Sequence, residues 1–193
     1  MSEEVIARGA EAVVILKGDR VIKRRLKKSY RIAELDERIR RERTRAEAKL
    51  TSVALRFGVP TPIVYDVNDH DIVMEYIRGT PLKHCMDEGL SMRAGQMAAR
   101  LHAGGIVHYD LTTSNMLLDH RGRLYLIDFG LAAFDSSLEG FGVDVHLYIQ
   151  SVRATYAENS LVDAFLEGYE SESPHFDEVI GRVREIEKRA RYL

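Results

Sequence analysis

The chain has 193 residues, of which 45% are apolar and 30% charged, with a formal net charge of −2. That balance excludes a disordered chain, and the length predicts one domain or one domain split into two small lobes. A single cysteine, Cys85, excludes an intrachain disulfide and a multi-cysteine zinc site and fits a reducing, cytoplasmic setting.

The elements follow in chain order. The opening MSEEVIARGA lacks the apolar core of a signal peptide, so none is expected. Val5-Ile6 reads as a strand feeding a turn at Gly9. Glu11–Lys17 and Arg20–Leu26 are strand-like runs about Gly18-Asp19, which predicts a hairpin. From Ile32 to Phe57 one long helix is expected. Leu35, Ile39, Ala46, Leu50 and Phe57 recur near helical spacing, and Gly58 and Pro60 stop it. Asp36–Arg40 and Glu37–Arg41 add support four residues apart. Residues 20–49 hold 13 of the 28 basic residues and only 5 acidic ones. Tyr30 aside, no aromatics are interleaved there, so the segment reads as a solvated face and partner dock rather than a nucleic-acid reader.

Ile63–Tyr65 and Asp71–Ile77 are strand-like about a turn at Asn68-Asp69. Arg78-Gly-Thr-Pro81 then breaks the pattern. The change from strands to helices falls near 76–80, which divides the chain into a strand-rich lobe, 1–76, and a helical lobe, 77–193. Helices are expected at 91–103, 142–156, 160–170 and 175–192, interrupted by short strands at 116–118 and 124–127. Residues 130–180 carry 10 acidic residues against Arg153 alone, and residues 182–193 form a basic tail with 5 basic and 2 acidic residues. No apolar run approaches the about 20 residues that span a bilayer, so no membrane contact is expected.

The chemistry concentrates in His108-Tyr-Asp-Leu-Thr-Thr-Ser-Asn115 and Ile127-Asp-Phe-Gly130. Phosphoryl transfer needs positioning and charge stabilisation more than covalent chemistry. Asp and Asn oxygens suit Mg²⁺, which keeps most of its waters. Asp110 can orient a nucleophile or take a hydroxyl proton. Asn115, on the same loop, and Asp128, at the end of an apolar strand, can hold the metal.

This set resembles the catalytic motifs of protein kinases. The resemblance implies an α+β, bilobal protein-kinase-like fold that binds Mg·ATP between the lobes. By it, Lys23 in Val21-Ile-Lys23 pairs with nucleotide phosphates and Glu47 steadies that lysine. Met74 becomes the gatekeeper, Glu75 and Ile77 bond the base through their backbones, and Val21 and Leu117 form its apolar roof and floor. Gly9, Ala10, Glu11 and Ala12 stand in for the phosphate loop. Departures are equally specific. That loop has one glycine, Tyr109 replaces the usual arginine, Thr112 replaces a lysine, and no Ala-Pro-Glu follows. Only 13 residues separate Gly130 from Asp144, the carboxylate expected to brace the catalytic loop, so the activation segment is truncated.

Those departures, with Lys23-Arg-Arg-Leu-Lys-Lys-Ser-Tyr-Arg31, Arg43-Thr-Arg-Ala-Glu-Ala-Lys-Leu50 and Leu111-Thr-Thr-Ser-Asn-Met116, resemble the PRPK-type small atypical kinases, the kinase subunit of the KEOPS (EKC) complex. The resemblance covers nearly the whole chain, although that family usually has glycine at the position of Tyr109. It implies an atypical serine/threonine kinase and ATPase that binds a threonylcarbamoyltransferase subunit and other KEOPS subunits. Their joint product is threonylcarbamoyladenosine beside the tRNA anticodon, with tRNA met indirectly or through the basic tail. The alternatives are a RIO-like or small-molecule phosphotransferase, which shares the His-x-Asp-Leu pattern, and a nucleotide-dependent scaffold.

Overall fold

Alternating apolar residues close a five-stranded sheet over the first 75 residues, as the computed structural model shows. It describes residues 3–190, so Arg191-Tyr192-Leu193 of the basic tail lie outside the described residues. The strands are β1 (Glu3–Arg8), β2 (Ala12–Lys17), β3 (Arg20–Arg25), β4 (Val64–Val67) and β5 (Asp71–Glu75), in the order β1-β2-β3-β5-β4. All neighbours run antiparallel, and Gly18, at φ 67°, makes the β2–β3 turn expected of Gly18-Asp19. The register sets Lys23 opposite Val14 on one side and Ile72 on the other.

One long helix, α1 (Ala33–Arg56), lies against this sheet and matches the periodic stretch to within a residue at each end. Its buried residues include Thr44, Glu47, Ala48, Thr51 and Ala54. That stripe carries a charged residue among small ones, which marks Glu47 as more than packing, since unpaired Glu is almost never buried.

Helices build the rest: α2 (Glu88–Ala103), α3 (Leu138–Thr155), α4 (Asn159–Glu170) and α5 (Phe176–Ala190). Two of them begin earlier than periodicity suggests, because caps set the start. Asp87 accepts from the Leu90 amide and Ser137 from the Gly140 amide, each satisfying an orphan donor of the first turn. The core runs between α2 and α4, where Leu101, Phe165 and Tyr169 are fully buried and Tyr148 stacks on Phe165 at 3.9 Å. Each such side chain contributes about 1.5–3 kcal/mol by burial.

Five short strands fix the loops between the two halves. They are β6 (Gly79–Pro81), β7 (Ile106–Val107), β8 (Met116–Asp119), β9 (Leu124–Leu126) and β10 (Ala133–Phe134). β6, β8 and β9 form a three-stranded sheet, and β7 pairs with β10. The β8–β9 hairpin corresponds to the expected pair, whereas β6, β7 and β10 were not foreseen. Among the described residues no helix is long and apolar enough to cross a membrane.

Candidate functional site

Lys23 is the point where the two halves meet. Its Nζ donates to Glu47 Oε1 at 2.5 Å and to Asp128 Oδ1 at 2.6 Å, the latter 105 residues away. Glu47 is buried on α1, and its second oxygen accepts from Arg25 Nη2 at 2.5 Å. Lys23 and Arg25 sit two apart on β3 and therefore share a face. Two cations thus balance two carboxylates, which is what a buried charge cluster needs to persist. Burial pulls the Lys23 ammonium down, but Glu47 and Asp128 outweigh it and hold its pKa above the ordinary lysine value. Burial likewise raises the Asp128 carboxyl. Lys23 and the Gly130 amide outweigh that and hold it below the usual carboxylate range.

Asp110 and Asn115 stand on the loop between β7 and β8. Asn115 Nδ2 donates to the Asp110 carbonyl and to its Oδ2, both at 2.9 Å. Both amide hydrogens are then spent on Asp110, which leaves the Asn115 Oδ1 as the free donor for a cation. The Asn115 carbonyl accepts the Ile127 amide at 2.9 Å, and His108 Nε2 lies 3.1 Å from the Ile127 carbonyl. These bonds tie the Asp110 loop to the strand end that carries Asp128. Asp144, fully buried on α3, accepts from the amides of His108 and Tyr109, each at 2.7 Å, and His102 Nε2 lies 3.2 Å away. The expected brace is therefore in place.

An apolar cavity of about 170 Å³ opens beside this cluster. Of the residues singled out from sequence, Val21, Lys23, Glu47, Met74, Glu75, Ile77, Leu117 and Asp128 line it. Ile77 is 8% exposed at the cavity wall, and its amide makes no hydrogen bond among the described residues.

Gly9, Ala10, Glu11 and Ala12 do not line the cavity. Gly9 closes a turn, with its amide donating to the Ala12 carbonyl at 2.9 Å, and Ala12 is buried in the sheet. Glu11 faces α1, where it accepts from Arg43 at 3.2 Å, with Arg31 at 3.9 Å. The Lys28 ammonium bonds the Ala10 carbonyl. Cations from the basic segment thus hold this loop in place of glycines.

Six further wall residues, Ile6, Val14, Thr51, Pro62, Tyr76 and Ile127, were given no role by the sequence reading. Two had a signal. Val14 faces Lys23 once the Gly18-Asp19 hairpin fixes the register, and Thr51 lies one helical turn beyond Glu47. Arg25 and Asp135 were also missed. Asp135 accepts the Tyr109 hydroxyl at 2.5 Å. That bond, with burial, pushes the Tyr109 phenol up to about 12.

A lysine–glutamate pair under a sheet, opposed to an Asp/Asn loop and a strand-end Asp across an apolar cleft, defines a kinase-like phosphotransferase domain. The RIO domain model matches residues 17–147. The Rio2 kinase of Chaetomium thermophilum, solved as an ADP/Mg²⁺-phosphoaspartate complex, shares the fold at a TM-score of 0.63 and 16% identity, covering 97% of this chain and 72% of that one. The chain belongs to the RIO-domain family and, within it, to the BUD32-type atypical serine/threonine kinases. It is 48% identical over 186 residues to the "Probable serine/threonine-protein kinase BUD32 homolog" of Archaeoglobus fulgidus, covering 96% of this chain and 94% of that relative. It is 52% identical over 195 residues to the "Probable bifunctional tRNA threonylcarbamoyladenosine biosynthesis protein" of Methanosarcina mazei, covering 98% of this chain and 36% of that relative. The chain therefore spans about a third of the bifunctional relatives' length.

Proposed function

We propose that this chain is an ATP-dependent phosphotransferase and ATPase of a KEOPS-type assembly, supporting threonylcarbamoyladenosine formation on tRNA. The observation that carries the chemistry is the Lys23 ammonium held between Glu47 and Asp128 at the mouth of the apolar cleft. The tRNA role rests on the likeness to the bifunctional archaeal proteins.

In this scheme Val21 and Leu117 sandwich the base, Met74 limits the depth of its pocket, and Glu75 and Ile77 bond its edge through the backbone. Lys23 moves from Asp128 to the phosphates, and Glu47 keeps it aimed. Gly9–Ala12 cover the phosphates from the sheet side. The donor set fits Mg²⁺: one carboxylate, Asp128, and the side-chain oxygen Oδ1 of Asn115, both hard oxygens and few in number. When bound, Mg²⁺ supplies charge neutralisation for the phosphates. Asp110, held by Asn115, orients a water or a seryl/threonyl hydroxyl and takes its proton.

The partner in this reading is a threonylcarbamoyltransferase subunit, and the site of action is the cytoplasm. The seven residues between Gly130 and α3 leave little platform for a peptide, which favours ATP hydrolysis coupled to that partner over phosphorylation of free proteins. Phosphate release by wild type and Asp110→Ala, with and without the transferase, tests the chemistry. A loss of about 100-fold or more is expected, and undiminished turnover in the variant overturns the assignment. Complementation of tRNA modification by Asp128→Asn tests the scaffold alternative, which predicts full rescue.

A further inference from the structure

The phosphoryl-transfer scheme leaves the side chain of Tyr109, next to Asp110 in the His108–Asn115 loop, without a task. It stands where protein kinases commonly carry an arginine, and activation loops in such enzymes are ordered by phosphorylation through arginine contacts. A phenol cannot replace that contact. Tyr109 also sits in the left-handed region at φ 60°, which residues with a bulky side chain seldom adopt. Such a conformation persists where neighbours over-determine it.

Two carboxylates do so. The Tyr109 amide donates to Asp144 Oδ1 at 2.7 Å, and the phenol donates to Asp135 Oδ2 at 2.5 Å. Asp135 lies in the short segment 131–137 that follows Asp128-Phe-Gly130. Its other oxygen accepts the Ser137 amide at 2.8 Å, at the cap of α3, and its own amide donates to the Gly105 carbonyl at 2.9 Å. One aspartate therefore joins the catalytic loop, the turn before β7 and the start of α3. The bonds from Tyr109 and Ser137 hold the Asp135 carboxyl below its ordinary range, so it remains a charged acceptor at neutral pH.

We infer that Tyr109 and Asp135 form a latch that pins segment 131–137 to the catalytic loop, fixes the position of Asp110, and orders the site with no phosphate on that segment. Tyr109 is then a positioning residue, and its effect on turnover rests on the role proposed for Asp110. The latch itself does not.

Two measurements separate the two. Tyr109→Phe keeps the ring and removes the donor. Asp135→Asn keeps the shape and removes the charge. Tyr109→Gly relaxes the backbone and removes the latch. Amide exchange over 131–137 needs no turnover, and all three variants should exchange there about tenfold faster than wild type. Phosphate release at saturating ATP should fall about tenfold, with KM for ATP within about twofold because neither residue lines the cleft. Tyr109→Gly should be no faster than Tyr109→Phe despite its relaxed backbone. Phosphatase treatment of the wild type should leave its rate unchanged.

Wild-type exchange in both Tyr109→Phe and Asp135→Asn overturns the latch. Faster exchange with full turnover overturns its positioning role, as does a rise in KM alone. Loss of rate after phosphatase treatment overturns phosphate independence. Faster exchange in a protein whose wild type has no turnover supports the latch and sinks the phosphoryl-transfer reading instead.

Discussion

Glu47 divides its carboxylate between Lys23 and Arg25, and the consequence differs for the two cations. Lys23 divides its charge between Glu47 and Asp128, and exchanges Asp128 for a phosphate if the site works as proposed, whereas Arg25 serves Glu47 and is 5% exposed. Arg25 therefore keeps Glu47 compensated while Lys23 shares its charge with a second anion. Removing one member of a buried pair leaves an uncompensated charge and costs about 3–5 kcal/mol. With Lys23 still present, Arg25→Met should fall at the lower end, about 3 kcal/mol by urea denaturation, or about 6–12 °C in melting temperature. Arg25→Lys should recover part of that loss. The two losses should not add in the Arg25→Met/Glu47→Gln double variant, because the second change removes the stranded charge. A cost under about 0.5 kcal/mol for Arg25→Met, the range of an ordinary surface substitution, would sink this account.

The elements divide by how local their causes are. The helix from Ala33 to Arg56 was legible because its apolar residues, ion pairs and stop signals lie within one turn of one another. The β2–β3 hairpin was legible for the same reason. β7 and β10 were not, since two-residue strands have no period to read and their paired residues lie 26 and 28 positions apart. Glycines mislead in the opposite direction. Glycine is a poor helix former, yet Gly95 and Gly168 permit a close crossing of α2 and α4. A Cβ on Gly95 would stand 2.0 Å from the Phe165 carbonyl oxygen, and one on Gly168 2.0 Å from that of Met92. Both obstacles are backbone, so α2 and α4 would have to part. Gly95→Ala should therefore cost about 3 kcal/mol despite alanine's better helix propensity, against a gain of about 1 kcal/mol at a free helix position. The same substitution at Gly181, where a Cβ meets nothing within 4 Å, should stabilise. Thermal melts of the two variants decide it: equal shifts would mean the crossing is not the constraint.

For the whole molecule, the sequence count and the folded charges tell different stories. The basic segment 20–49 looks unbalanced because several of its cations find partners outside it: Asp71 for Arg24, Glu11 for Arg43, Asp69 for Arg41 and Arg45. RIO-like and KEOPS-type readings likewise looked like rivals in the motifs, whereas the RIO likeness describes the domain and the BUD32 likeness its branch. What no local pattern could reveal is that Lys23–Asp128 is a salt bridge between the two halves. That bridge competes with the proposed ligand, since Lys23 cannot serve Asp128 and a phosphate equally. Mg·ADP at 100 times its Kd should stabilise the fold by about 2.7 kcal/mol, a rise of about 5–10 °C in melting temperature. Lys23→Met should lose most of that shift, because the phosphates lose their cation. Asp128→Asn should keep the shift with ADP alone and lose the part that depends on Mg²⁺, because only the metal needs its charge. If Asp128→Asn responds to Mg²⁺ as wild type does, Asp128 is a structural partner of Lys23 and the metal is held elsewhere.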